Sequence, residues 1–142
     1  MSRKKAIESP DKLWELFKEF DAWRLANPWR KERYVGWMGR KVYEDKRRPL
    51  TQSGFEGFLA EKGVINSLED YFANHQGRYE EFKTTCRMIK TCIYADLIEG
   101  AMMNVYHPRL VIRLIDLRNK KEIESNRKVE ISVQFVDRMR VD

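Results

Sequence analysis

A chain of 142 residues, 42% hydrophobic and 35% charged, has room for one domain or a small domain with appendages, and its composition is that of a soluble protein with much exposed surface. It holds no run of about 18 apolar residues, which excludes a membrane-spanning helix, and its basic N-terminus lacks the apolar stretch of a secretory signal. The net charge of +6 is unevenly placed: residues 1–49 carry 14 Lys+Arg against 8 Asp+Glu, and the remainder of the chain is neutral.

Ser9-Pro10-Asp11 is a helix start, with a capping serine, a proline at the first helical position and an acid behind it. The spacing of Leu13, Leu16, Phe17, Phe20 and Trp23 predicts a helix over residues 11–25 that stops before Asn27-Pro28 and buries one aromatic stripe. Residues 28–48 follow. Tyr34-Val35 and Val42-Tyr43 flank Gly36-Trp37-Met38-Gly39, the pattern of a short hairpin or wing; a mobile loop that orders on binding fits it as well. This segment holds Arg30, Lys31, Arg33, Arg40, Lys41, Lys46, Arg47 and Arg48 against only Glu32, Glu44 and Asp45. A basic patch this localised is the electrostatic footprint of a nucleic-acid binder and points to phosphate contact rather than base reading.

The next stretch, residues 49–74, has the form of a helix-turn-helix. Thr51 or Gln52 opens the first helix, and Phe55, Phe58 and Leu59 share one face of it. Gly63 sits where the chain must turn. Asn66 or Ser67 caps the second helix, which carries Glu69 and Asp70 in its first turn and Leu68, Tyr71 and Phe72 on its apolar side. An ordinary helical hairpin packing its aromatics into a core shares that pattern. Carboxylates facing phosphate are repelled, so the second helix departs from the usual DNA reader.

Asn74-His75-Gln76-Gly77 breaks the helical pattern. Residues 79–103 then read as the longest helix, with Phe82, Cys86, Ile89, Ile93, Leu97 and Ala101 along one seam. Asn104 is a stop, and His107-Pro108 begins another helix whose Leu110, Val111, Leu114, Ile115 and Leu117 fill a broad face. The two helices predict an antiparallel hairpin. Tyr94, Ile98, Met102 and Ile112 fall off its seam, and that surplus of apolar surface points to contacts between subunits. Residues 119–127 read as a linker. In residues 128–141, Val129, Ile131, Val133 and Phe135 alternate with polar residues, which predicts a β-strand. A lone strand needs a partner: either the basic hairpin or the same strand of neighbouring copies, which would close a ring.

Cys86 and Cys92 lie six residues apart and point in different directions on one helix, far from His75 and His107; they read as small core residues, with no metal-site spacing. No phosphate-binding loop of the GxxxxGK[ST] type and no catalytic constellation occurs, so no catalytic residue, metal or cofactor is expected.

Arg48-Pro49-Leu50-Thr51-Gln52-Ser53-Gly54-Phe55, then Tyr71-Phe72, the start of the helix at residues 79–90, and Ile98-Glu99-Gly100-Ala101-Met102 carry a resemblance. With the order of parts from residue 10 onward, they make the chain resemble the small terminase subunits of tailed bacteriophages. The first segment is similar to that family's PLT-x-x-G at the start of its helix-turn-helix, the last to its EGA near the end of the long helix. The resemblance implies a non-enzymatic, ring-forming protein of the host cytoplasm. It would recognise double-stranded viral DNA and recruit and regulate the large terminase subunit, a motor-nuclease. Carried over, Thr51, Gln52, Ser53, Asn66, Ser67 and Asn74 are the polar candidates for DNA contact beside the basic segment. A helix-turn-helix transcriptional regulator is the competing reading, and a scaffold whose basic segment binds an acidic protein is a third.

The expected fold is therefore mainly α. Residues 1–76 form a DNA-binding helical domain with a basic hairpin or loop at 28–49, and residues 77–121 are central oligomerisation helices. Residues 122–142 hold a linker and a strand in which Ile131, Val133 and Phe135 build a β element between subunits.

Overall fold

The computed structural model describes residues 4–139, with side chains described through residue 124. The chain is mainly helical, with one small antiparallel sheet. In order it runs α1 (Pro10–Ala26), β1 (Trp29–Val35), β2 (Arg40–Lys46), α2 (Gln52–Glu61), α3 (Glu69–Ala73), α4 (Lys83–Met102) and α5 (Pro108–Met139). It divides into two compact units, Met1–Val105 and Tyr106–Asp142. No helix among the described residues is long and apolar enough to cross a membrane.

The first unit is built on α1. The Ser9 hydroxyl accepts from the Lys12 amide at 3.2 Å, and Pro10 occupies the first turn, where no amide partner is needed. The helix buries Leu13, Leu16, Phe17, Phe20 and Arg24, a stripe at steps of three and four, while Trp23 is partly exposed. Against that stripe lies α2. Its Phe55 and Leu59 are fully buried, and the Phe55 ring sits 5.4 Å from Phe17 and 5.5 Å from Phe20. Burying a side chain of this size contributes about 1.5–3 kcal/mol, so these few contacts dominate the docking of α1 on α2.

Thr51 opens α2 as its N-cap, accepting from the Gly54 amide at 3.0 Å. Gly63 closes it at φ +70°: the Gly63 amide bonds the Ala60 carbonyl and the Val64 amide bonds the Leu59 carbonyl, the paired bonds of a Schellman turn. The same pair ends α4, with Asn104 at φ 53° donating to Ala101 and Val105 to Gly100. The turn expected at residues 74–77 holds Asn74, Gln76 and Gly77 at positive φ.

Four expectations are corrected. The residue N-terminal to α3 is Leu68, whose own side chain makes no capping bond; its amide bonds the Glu56 carboxylate at 3.1 Å, and the Ser67 hydroxyl takes the Glu69 amide at 3.3 Å. The capping expected of Asn66 or Ser67 is thus divided: Ser67 takes one amide of the first turn, and Glu56 reaches over from α2 to take the Leu68 amide. Second, α4 begins no separate unit: its Cys86 and Ile89, with Phe82 just before the helix, enter the same core as Phe17 and Phe55. Third, its buried line continues through Asp96 and Gly100, not Leu97 and Ala101. Fourth, the longest described helix is α5, which runs through residues 119–127 and on to Met139, where a linker and a strand were expected. No Gly or Pro follows Pro108 to stop a helix, and Val129, Val133 and Val136 stand at steps of four and three, so the apparent alternation also satisfies a helical period. A single strand would leave both edges unpaired, whereas a helix satisfies its own backbone. The end of the expected strand at residues 140–141 and the side chains of Ile131, Val133 and Phe135 lie outside the described residues.

Candidate nucleic-acid interface

The basic segment folds as a hairpin. Its strands pair in the register Trp29↔Lys46, Arg30↔Asp45, Lys31↔Glu44, Glu32↔Tyr43, Arg33↔Val42, Tyr34↔Lys41 and Val35↔Arg40. Every residue of β1 is exposed, and β2 alternates between exposed and half-buried. At about 3.3 Å per residue the ribbon is over 20 Å long. Gly36 and Gly39, at φ +76° and +65°, bracket the tip, and the Gly39 amide bonds the Gly36 carbonyl at 3.2 Å. Trp37 and Met38, between them, are 95% and 80% exposed.

Opposed residues of an antiparallel pair share a face, so the register sorts the charges. One face bears Arg30, Glu32, Lys41 and Asp45 with Tyr34 and Tyr43. It is internally neutral: Lys41 pairs with Glu32 at 2.8 Å and Arg30 with Asp45 at 3.8 Å, and Arg30 and Lys41 both stand over the Tyr43 ring. The opposite face bears Lys31, Arg33, Arg40 and Lys46 against Glu44 alone, with Trp29, Val35 and Val42 between them. Glu44 bonds Lys46 at 2.9 Å and lies 3.9 Å from Arg33. The Lys46 hydrogen bond, and then its charge, lower the Glu44 pKa, so that carboxylate stays ionised. Lys31 and Arg40 remain outside these pairs and are exposed. The hairpin's surplus positive charge therefore lies on a single face.

An isolated two-stranded ribbon is marginal in water. This one is held at its base by a buried polar knot. Arg24, 4% exposed on α1, sends Nη1 to the Arg48 carbonyl at 2.7 Å and to Asp96 Oδ1 at 3.3 Å, and Nε to Asp21 at 3.0 Å. Asp96, 9% exposed on α4, also accepts the Leu50 amide at 2.9 Å and lies 3.2 Å from Arg47 Nη2. Arg48 stacks its guanidinium 5.4 Å from the rings of both Trp23 and Trp29. Arg24, Arg48, Trp23 and Trp29 border a cleft of about 250 Å³ between α1, α2 and the hairpin base.

The expected contact residues thus separate into groups. Arg30, Lys31, Arg33, Arg40, Lys41 and Lys46 lie on the hairpin, on two unlike faces. Arg47 and Arg48 are half-buried and engaged within the chain. Thr51 is occupied as a cap, Gln52 contacts Glu56 at 3.4 Å, and Ser53, Asn66 and Ser67 are exposed. Asn74 is spent on the turn: its Oδ1 takes the Tyr79 amide at 2.8 Å and its Nδ2 donates to Glu80 at 2.6 Å. Residues 51–74 carry Glu56, Glu61, Glu69 and Asp70 against Lys62, and α3 has five residues. Of the expected assembly residues, Met102 and Ile112 are 77% and 59% exposed, Tyr94 is exposed and Ile98 half-buried.

Arg24 and Asp96 were missed by sequence reasoning, although the signal is present. Arg24 continues the α1 stripe four residues past Phe20, and Asp96 stands seven past Ile89 on α4. An opposite charge on each of two core-facing stripes marks a buried pair.

No protein-family model matches the chain, and comparison with curated proteins finds no match.

Proposed function

We propose that the chain is a non-catalytic duplex-DNA-binding protein of the small terminase subunit type. It gathers viral DNA into a ring of identical copies and presents it to a large motor-nuclease subunit. The observation that carries DNA binding is the exposed ribbon with a single surplus-basic face, fixed to the helical core by the Arg24–Asp96 knot. A cationic ribbon of this length can track a phosphate backbone without reading sequence.

Under this reading α2, the Gly63 turn and α3 form the helix-turn-helix, but with α3 short and acidic it contributes orientation more than base contacts. Ring assembly is carried by exposed apolar residues of α4 and α5, among them Met102, Ile112, Leu114 and Leu117. A helix-turn-helix transcriptional regulator is the second reading, favoured by the same α2–α3 pair; it differs in being a monomer or dimer rather than a closed ring.

Binding of the whole protein to a short duplex across a salt series tests the DNA contact. Contact through the four cations of the basic face gives a log–log slope near −3.6, at about −0.9 per phosphate neutralised. A flat salt response, or no binding in dilute buffer, contradicts it. Native mass spectrometry separates ring from dimer.

A further inference from the structure

The tip of the hairpin carries chemistry that its fold does not use. The turn is made by Gly36 and Gly39, whose positive φ angles suit them to bend the chain, and a side chain on either would meet open space. Trp37 and Met38 fill the two central positions, where small polar residues are the usual choice. At 95% and 80% exposure they bury almost no area against the protein. A large aromatic and a flexible thioether side by side, projecting from the end of a ribbon whose one face is cationic, form an apolar point on an anion-tracking arm.

We infer that Trp37 and Met38 are a wedge that enters duplex DNA between base pairs while Lys31, Arg33 and Arg40 hold the flanking phosphates. The inference rests on the DNA-binding reading and adds a deformation to it. Apolar wedges on basic elements unstack base steps and kink the duplex, and an indole presents the flat face that a base requires. The distribution of charge selects DNA over a lipid surface. The surplus cations run along one face for the length of both strands, matching a linear polyanion, whereas only Arg40 lies next to the tip. Two apolar side chains without a ring of cations around them are a weak membrane anchor.

The test uses the full chain with a closed circular plasmid relaxed by a topoisomerase, which needs no knowledge of a binding site, together with duplex binding over a salt series. The wild type should change the linking number. The double variant Trp37→Ala/Met38→Ala should lose that change and about ten-fold in affinity, the worth of one stacked base, while its salt slope stays the same. Trp37→Phe should restore the linking-number change. Both side chains are free of the core, so the variants keep the wild-type circular dichroism and melting temperature. Duplex binding without a linking-number change, or a change that survives the double variant, overturns the wedge and leaves DNA binding intact. Failure to bind any duplex overturns both. Binding to vesicles of anionic phosphatidylglycerol with blue-shifted tryptophan emission that vanishes in Trp37→Ala, in a chain that ignores DNA, reassigns the tip to membranes and overturns the wedge.

Discussion

At the scale of single residues, Asp96 is the most consequential side chain. Its two oxygens receive Arg24, Arg47 and the Leu50 amide, and so join α1, α4 and the strap that carries the hairpin. Truncating one partner of a buried ion pair leaves the other charge uncompensated, so Asp96→Ala should cost about 3–5 kcal/mol in urea denaturation. Asp96→Asn, which can still accept from Leu50, should cost less. A loss under 1 kcal/mol for the alanine variant would show that the knot is not closed in solution. Cys86 gives a second test. Burial pushes its thiol up to about 11, and its Sγ donates to the Tyr71 carbonyl at 3.7 Å. In the native protein a thiol reagent at neutral pH should modify Cys92, which is half-buried, well before Cys86. The folded pKa is raised, so the contribution of the neutral thiol to stability is complete below its ordinary value of 9.0 and is lost as pH rises toward about 11. Rapid native labelling of Cys86 would contradict this. Sequence placed Cys86 in the core through its helical register; the knot was harder to read, because a charge on an apolar stripe looks like a defect until the opposite charge on the second stripe is matched to it.

At the scale of elements, three glycines of α2 and its turn separate backbone from packing. Gly57 is helical and faces open space, so Gly57→Ala should stabilise by about 0.5–1 kcal/mol. Gly63 faces open space too but sits at φ +70°, so Gly63→Ala should destabilise by about 1 kcal/mol through conformation alone. A Cβ on Gly54 would stand 2.9 Å from the Thr51 hydroxyl and 3.2 Å from the Phe20 ring, so Gly54→Ala should lose stability by crowding both the cap and the core. Thermal melts of the three variants give the order, and equal effects would contradict the assigned turn. Most elements were legible. Ser9-Pro10 starts α1, Thr51 starts α2, Gly63 ends it, and the glycine-bracketed tip marks the hairpin. The C-terminal strand failed because a run such as Val129 to Phe135 satisfies period 2 and period 3.6 together, and only the continuity of a chain without Gly or Pro decides between them.

At the scale of the whole molecule, the location of the positive charge was legible and its arrangement was not. Counting Lys and Arg over residues 28–48 makes one patch; strand register splits it into a neutral face and a basic one, and the polar knot withdraws Arg47 and Arg48 into structural duty. Register depends on which residues pair across the turn, and a single sequence does not display that. The proposed assembly belongs to this scale as well. On α5, Leu114 and Leu117 are 46% and 52% exposed and lie on one helical stripe. Leu114→Glu/Leu117→Glu should reduce the native mass to that of smaller species while leaving helicity unchanged, and an unaltered particle would remove α5 from the assembly contact.

The central claim is that one face of the hairpin holds DNA. It is tested most directly by comparing two charge-matched variants of the full chain on the same duplex over a salt series. Lys31→Ala/Arg40→Ala, on the basic face, should flatten the salt slope by about 1.8, at about 0.9 per lost phosphate contact. Arg30→Ala/Lys41→Ala, on the neutral face, should leave the slope as it is. Equal effects from the two variants, or none from either, would contradict the account.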